Sequence, residues 1–206
     1  PTWVRAAKWR ITASPHPPYE LRAPSPVNKR YASQMQTFIA LLRGINVGKA
    51  KRLPMADLRA LLVRLGYTGV ATLLNSGNAV FQAATGTSAK HAENIASAIA
   101  TNLKLEVPVI VKSAKELQAV VAENLLALGA ANHSHLLAIF TQHIKALSEL
   151  GAVESLVVAP EQFALGKNAA YLHCTNGILN SKAGEALLGK SGKLVTTRNW
   201  ATVLKL

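Results

Sequence analysis

The sequence is poor in acidic residues, in aromatic residues and in cysteine. Its 206 residues include 10 Asp and Glu against 23 Lys and Arg, 5% aromatic residues and one cysteine. A lone cysteine cannot form an internal disulfide, which excludes a small disulfide-built domain. Half of the residues are apolar, which excludes an intrinsically disordered chain. No apolar run approaches the roughly 20 residues of a membrane span, and we expect a cytoplasmic protein.

Aspartate is almost absent, since Asp57 is the one aspartate of the chain. Two-metal phosphoryl-transfer sites and calcium loops need clustered carboxylates, and no pair of glutamates has an evident acid–base arrangement. His133 and His135 lie two apart on a candidate strand, but spacing fixes no third ligand. We therefore predict no metal site and no cofactor, and the sequence leaves open whether the protein is an enzyme.

Residues 1–34 differ in composition from the rest of the chain. They hold six basic residues and one acidic residue, a local +5, and six of the nine prolines. We interpret residues 1–34 as an N-terminal extension outside the folded domain, with Met35 as the natural start. A transit peptide is the alternative, although the prolines would break the amphipathic helix that it needs. Residues 35–206 hold 17 basic and 9 acidic residues, a formal +8.

Hydrophobic periodicity predicts alternating strands and helices after Met35. Strands are predicted at 36–42, 70–74, 78–83 and 108–111, and helices at 54–65 and 88–103. The order strand, helix, strand, strand, helix, strand is typical of the ferredoxin-like arrangement. We predict a ferredoxin-like βαββαβ subdomain over residues 35–112.

A second, small α+β subdomain is predicted over residues 113–206. Ser113 and Glu116 form a capping-box pattern at the start of a helix. Strands are predicted near 135–140, 156–159, 163–165 and 170–174, and short helices at 144–150, after Ser181, and after Thr196 or Thr197. The predicted fold class is therefore α+β, with the ferredoxin-like subdomain first.

A basic loop containing two glycines follows the first strand. Glycines let a backbone approach a phosphate closely, and the start of the next helix favours anions. The spacing is not that of a Walker A loop, and Ala50 stands where a magnesium-binding hydroxyl would be. A solvated loop whose glycines only set turns is the alternative. The candidate ligand-binding residues of this loop are Arg43, Asn46, Lys49, Lys51 and Arg52.

Two further polar segments supply candidate ligand contacts. Ser76 and Asn78 lie in a tight-turn sequence, and turn formation alone accounts for them equally well. Arg198 and Asn199 lie at a predicted helix start, where a hydroxyl would cap the helix and the other polar groups could contact a ligand. Sequence does not decide whether the three segments lie together in space.

Three separated motifs carry a family resemblance. They are ALLRGINVG at 40–48 with LPMA at 53–56, NSGNAVF at 75–81, and TTRNWATV at 196–203. Together they resemble the bacterial domain of unknown function 1697 family. The resemblance implies a cytoplasmic α+β protein with a ferredoxin-like first subdomain. It names no catalytic residue, because the family has no established activity to carry over.

The basic balance and the loop favour one function over two alternatives. We expect the protein to bind a polyanionic or phosphorylated ligand, such as a nucleic acid or a nucleotide-like molecule, through the basic loop. The first alternative is an enzyme that acts on a small anionic substrate in a pocket formed by the three motif loops. The second is an interaction module that dimerises through a sheet face. No membrane partner is expected.

Overall fold

The computed structural model describes residues 35–48, 51–189 and 194–206. The predicted extension, residues 1–34, lies outside these ranges, as does Lys49. The first unit contains strands β1 (Gln36–Leu42), β2 (Thr68–Leu73), β3 (Asn78–Ala83) and β4 (Val109–Ser113). Its helices are α1 (Met55–Arg64), between β1 and β2, and α2 (Ser88–Leu103), between β3 and β4. The predicted strand and helix order is therefore present.

The first sheet has the order β2-β3-β1-β4, and every neighbouring pair is antiparallel. This order is compatible with the ferredoxin-like arrangement. Local sequence explains the elements: β1 is apolar on both faces, and the Thr87 side chain caps α2 by accepting from Lys90 N. The α+β fold class predicted from the sequence is confirmed.

Helix α3 (Ala114–Glu123) and a 3₁₀ turn (Leu125–Leu128) connect the two sheets. The capping box predicted from Ser113 and Glu116 is present in α3, with the side chain of each residue bonded to the backbone of the other. Leu117 and Val120 of α3 are buried.

The second unit repeats the strand order of the first, with two short helices between its first two strands and an additional helix after its last strand. Strands β5 (Leu136–Thr141), β6 (Gln162–Leu165), β7 (Ala170–His173) and β8 (Val195–Asn199) form an antiparallel sheet in the order β6-β7-β5-β8. Its short helices are α4 (Ile144–Ser148), α5 (Gly151–Glu154), α6 (Lys182–Leu188) and α7 (Trp200–Val203), and a 3₁₀ turn spans Ile178–Asn180. Two sheets with equivalent topology therefore make up the fold.

Two sequence-based expectations for the second unit are wrong. Residues 156–159 form no strand but follow α5 as turn and irregular structure. Thr196 and Thr197 do not begin a helix; they lie in strand β8, because their branched side chains suit a pleated strand. Helix α7 begins one turn later, with Asn199 as its N-cap.

The two sheets pack face to face between outer layers of helices. The outer face of the first sheet packs on α1 and α2 through a core that includes Phe38, Phe81 and Ile95. The inner faces meet in a second core that includes Ile39, Leu41 and Phe140. Helices α4, α5 and α6 cover the other face of the second sheet. Each sheet is thus covered on both faces, as its near-continuous apolar central strand requires.

Candidate functional site

In the loop between β1 and α1, the described residues 43–48 and 51–54 include four left-handed backbone positions. Gly44, Asn46, Gly48 and Lys51 all have φ between 50° and 64°, a left-handed conformation that glycine and asparagine adopt most readily. Asn46 closes the loop, because its side chain donates to Leu53 O at 2.9 Å and accepts from Leu53 N at 2.9 Å. The loop is therefore held by its own amide bridge.

The same asparagine connects this loop to the turn between β2 and β3. Asn46 Nδ2 donates to Asn75 O at 2.7 Å. Gly77, with a φ of 82°, lies so close to the loop base that a Cβ there would be 2.7 Å from Leu42 Cβ and 2.8 Å from Ile45 Cδ1. Only glycine fits this position without a shift of its neighbours. Two of the three motif segments are therefore in contact.

Arg198 of β8 connects the third motif segment to the other two through hydrogen bonds in the protein interior. Its Nη2 donates to Leu42 O at 2.7 Å and to the turn carbonyls of Ser76 and Gly77 at 3.2 and 3.3 Å. Its Nε donates to Asn78 Oδ1. We call Arg198 with these four partners the Arg198 cluster. Its arginine is 7% exposed, and burial lowers its pKa to about 10.

The remaining donors of Arg198 also meet protein acceptors. Nη1 donates to Thr196 Oγ1 at 2.8 Å and to Thr197 O at 2.7 Å. A guanidinium has five N–H groups, and each nitrogen here has at least one acceptor. Arg198 and the fully buried Asn78 thus hold β8, the end of β1 and the β2–β3 turn together.

Arg43 joins the two units at a neighbouring point. Its Nη1 donates to Val195 O at 2.5 Å, and its Nη2 donates to Leu188 O at 3.0 Å. Partial burial lowers the pKa of this guanidinium. Arg43 and Arg198 therefore both fix the base of the basic loop to the second unit, and their side chains point away from the loop surface toward the protein.

An open cleft lies on the outer side of the loop, where α1 begins. It has a volume of about 440 Å³. Pro54 stands at the N-cap of α1 and offers no capping side chain. The cleft is lined by Asn46, Gly48, Arg52, Leu53, Pro54, Met55 and Asn75. We call this surface the basic cleft.

The other predicted site residues lie beside the cleft or serve as supports. Lys51 is exposed, and its Nζ donates to Glu106 O at 2.7 Å. Ser76 is exposed on the turn, where its hydroxyl accepts from Asn78 Nδ2 at 3.0 Å. Asn199 caps α7, since its side chain accepts from Thr202 N at 2.9 Å. The structure therefore brings Asn46, Arg52, Ser76, Asn78 and Arg198 into one region.

Sequence reasoning missed Asn75 and Met55 as cleft-lining residues. Asn75 stands in the quoted turn motif, and its position beside the loop depends on the antiparallel sheet order, which spacing alone does not supply. Within the described ranges, no group of three or more His, Cys, Asp or Glu side chains could hold a metal ion. None of the described helices is long and apolar enough to cross a membrane.

Face-to-face packing of two antiparallel sheets, each covered by helices, defines a two-unit α+β protein. Residues 35–171 match the family described as protein of unknown function (DUF1697). The chain belongs to this family, which confirms the resemblance carried by the sequence motifs.

A solved structure has a similar fold. The conserved bacterial protein SP0830 from Streptococcus pneumoniae is 26% identical, with a TM-score of 0.70. The similarity covers 83% of this chain and 96% of that chain. No curated protein matches the chain.

Proposed function

We propose that the protein binds a polyanionic or phosphorylated ligand, such as nucleic acid, at the basic cleft. The observation that carries this function is the position of Arg52, an exposed guanidinium in the wall of a 440 Å³ cleft at the start of α1. A guanidinium donates in a planar fork that matches phosphate oxygens. The cleft therefore provides both a positive charge and open space for a phosphate group.

The start of α1 adds to the attraction. The first N–H groups of a helix have no partner within the helix, and the helix dipole favours a negative charge there. Asp57 in the first turn opposes this attraction in part, and Pro54 lacks an N–H group. The helix contribution is therefore secondary to that of Arg52.

The surroundings of the cleft favour an extended polyanion over a single phosphate. Lys51, Arg52, Arg59 and Arg64 are all exposed along the loop and α1, and Asp57 is the one acidic residue between 43 and 66. Spaced cations of this kind neutralise several phosphates of a strand. Phe38 and Phe81 are buried in the core at 2% and 0% exposure, so they are not available to stack bases. We infer phosphate contacts without base-specific recognition.

The alternatives receive less support from the geometry. An enzyme site would present Arg43 and Arg198 to a substrate, whereas both donate to backbone carbonyls inside the protein. A homodimer through the inner face of the first sheet would compete with the second sheet, which already covers that face. Binding at the basic cleft uses side chains that remain on the surface.

Fluorescence anisotropy with a short labelled single-stranded oligonucleotide tests this function. We expect affinity to fall with salt, and Arg52→Ala to weaken binding and reduce the log–log salt slope by about 0.7, the value of one lost phosphate contact. Lys145→Ala removes an exposed lysine from α4 on the opposite helix layer and is the matched control. Absence of binding at low salt, or equal losses in both variants, would contradict the proposed site.

A further inference from the structure

The two sheets place a cation at the same register position of their last strands. In the first sheet, Lys112 of β4 pairs with Ile39 of β1. In the second, Arg198 of β8 pairs with Ala138 of β5. Ile39 and Ala138 both face the core between the sheets. Lys112 and Arg198 are therefore equivalent residues, and each points toward the opposite sheet.

The equivalent cations meet different surroundings. Arg198 reaches the end of β1 and the β2–β3 turn, where its donors find acceptors in the Arg198 cluster. Lys112 faces the end of β5 at Thr141 and the β6–β7 turn at Lys167 and Asn168, across a cavity of about 260 Å³. We call this the Lys112 cavity. Its volume is several times that of one water molecule in the liquid, about 30 Å³.

The Lys112 side chain is largely buried, and its ammonium donates no hydrogen bond to the described residues. Its side chain is 10% exposed, and the nearest carboxylate oxygen, Glu116 Oε1, is 4.0 Å from Nζ. That separation exceeds hydrogen-bond length, while an ammonium has three donors. Burial lowers the pKa of Lys112, and the charge of Glu116 offsets this only in part. The amine is therefore ion-paired with Glu116 but hydrogen-bonded to none of the described oxygens, so its three N–H donors remain available.

Glu116 gives Lys112 an ion pair but no hydrogen bond. Its Oε2 accepts from Ser88 Oγ, Ser113 N and Ser113 Oγ at 2.7 to 2.8 Å. These bonds hold the carboxylate at the start of α3, turned toward the capping box. The other oxygen, Oε1, is the one that lies 4.0 Å from Lys112 Nζ.

The charge of the lining, rather than its neutral polar groups, favours an anion. Thr141 Oγ1 donates to His143 O at 3.1 Å, so its proton is already used. Lys167, an exposed residue, is the second lysine of the lining. The amide Nδ2 of Asn168 donates to Glu123 Oε2 at 2.8 Å and fixes the turn that carries Lys167. The lining residues thus include two lysines, Lys112 and Lys167, but one carboxylate, that of Glu116.

We propose that the Lys112 cavity is a binding site for a small oxyanion, a carboxylate or a phosphate group, whose oxygens accept from the Lys112 ammonium. This site is separate from the basic cleft, because it lies between β4, α3 and the second sheet. It predicts that the protein has a small-molecule ligand in addition to any polyanion.

The test follows the Lys112 Cε resonance by NMR in the isotope-labelled full chain. Inorganic phosphate and acetate are added in separate titrations at constant ionic strength. We expect a saturable shift of Lys112 Cε with at least one of the two anions, and the more tightly bound anion identifies the ligand class. Saturation with neither anion would overturn the site.

Variants locate the binding. Lys112→Met should weaken the anion at least about tenfold, the scale of one charge-assisted hydrogen bond. Lys115→Met removes an exposed lysine on the adjacent helix and should leave affinity unchanged. Equal weakening in both variants would overturn the site as diffuse charge attraction. If Lys112→Met does not fold, the saturable Cε shift of Lys112 in the wild-type protein still tests whether the anion binds there. Arg52→Ala should not change anion affinity here, which separates this result from that at the basic cleft.

Discussion

The first and second sheets share one topology, but their hairpin turns are held by residues of opposite charge. The β2–β3 turn is held by a cation, Arg198, which donates to turn carbonyls. The β6–β7 turn is held by an anion, Glu123 of α3, which accepts from Lys167 N, Asn168 N and Ala169 N. In both cases the charged residue lies outside the sheet that it supports. Equivalent topology therefore does not impose equivalent chemistry on the turns.

The loops after the first strand of each sheet differ as strongly. Twelve residues, 43–54, separate β1 from α1, whereas two residues, 142–143, separate β5 from α4. A two-residue connection is ordinary for such units. The longer connection carries the basic cleft, so the difference in loop length marks the unit on which we place ligand binding.

Replacing Arg198 should have the largest effect, because it removes the cation that holds the first turn. Arg198→Met leaves the Leu42 carbonyl and the buried Asn78 Oδ1 without the donors that Arg198 supplies, and we expect a loss of about 3–5 kcal/mol in the free energy of unfolding. Urea denaturation measures it. Arg64→Ala, an exposed arginine of α1, is the control and should change stability by less than about 0.5 kcal/mol. Similar losses in both would contradict the role of Arg198.

Gly77→Ala should have the next largest effect on stability, because a Cβ would collide with Leu42 and Ile45. We expect a loss of about 2–4 kcal/mol from the close contact and the positive φ together. Gly44→Ala has a similar φ of 64° but meets nothing within 4 Å and should lose only about 1 kcal/mol. Thermal or urea unfolding separates the two, and equal losses would show that backbone conformation alone sets the requirement.

Glu123→Gln tests the anion that holds the second turn. We expect a loss of about 1–3 kcal/mol, because an amide cannot accept from all of the N–H groups that the carboxylate holds. Although burial raises the pKa of Glu123, hydrogen bonds from Asn168, Tyr171 and Ala169 lower it overall. The folded pKa lies below the unfolded one, so this stabilisation is present above the unfolded pKa and is lost as pH falls through the folded pKa.

A comparison across pH completes this test. Wild-type stability should decrease on acidification below about pH 4.3, and the decrease should be smaller in Glu123→Gln. Glu149→Gln, an exposed glutamate after α4, is the control and should keep the wild-type profile. An unchanged profile in Glu123→Gln would contradict the assignment.

Replacing His91 should have the smallest effect on stability. His91 lies in the first unit. It is 4% exposed among Phe38, Tyr67 and Phe81, with Tyr67 Oη 2.9 Å from Nδ1. Burial lowers its pKa, and a backbone contact at Thr85 offsets this in part. The unfolded state therefore binds the proton first, and stability falls as pH drops below about 6.5 until the folded pKa is reached.

Urea denaturation between pH 7 and pH 5 measures the slope, in the range where histidine titrates. His91→Leu should flatten it, while His143→Gln, which removes an exposed histidine from the second unit, should leave it as in the wild type. The reverse pattern would place the pH dependence in the second unit.

Much of the first sheet could be predicted from sequence, because its signals are local. The apolar run of β1, the turn residues at 75–78 and the spacing in α2 each determine one element. The capping box of α3 is equally local. By contrast, the sequence predicts Arg198 only as a candidate ligand contact, because its partners Leu42 and Asn78 are more than a hundred residues away.

The second unit was harder to predict for a related reason. Its strands and helices are short, so few residues carry each periodic signal. Residues 156–158 are apolar without forming a strand, while Thr196 to Asn199 are polar and do form one. Leu156 and Val158 are exposed, whereas Thr196 and Arg198 are buried by partners that are distant in sequence. One local signal was available for Lys112, a charged residue that directly follows the apolar run 109–111 in the same strand.

The bonds from Arg43 and Arg198 also impose an order on folding during synthesis. Strand β8 is the last of the eight described strands to leave the ribosome, yet it supplies the donors for Leu42 and the β2–β3 turn and the acceptor at Val195 for Arg43. The first sheet can form its strand pairs earlier, since these are complete within residues 36–113. The base of the basic loop reaches its final form only after β8 has been made, so a nascent first unit would carry that loop without its anchors.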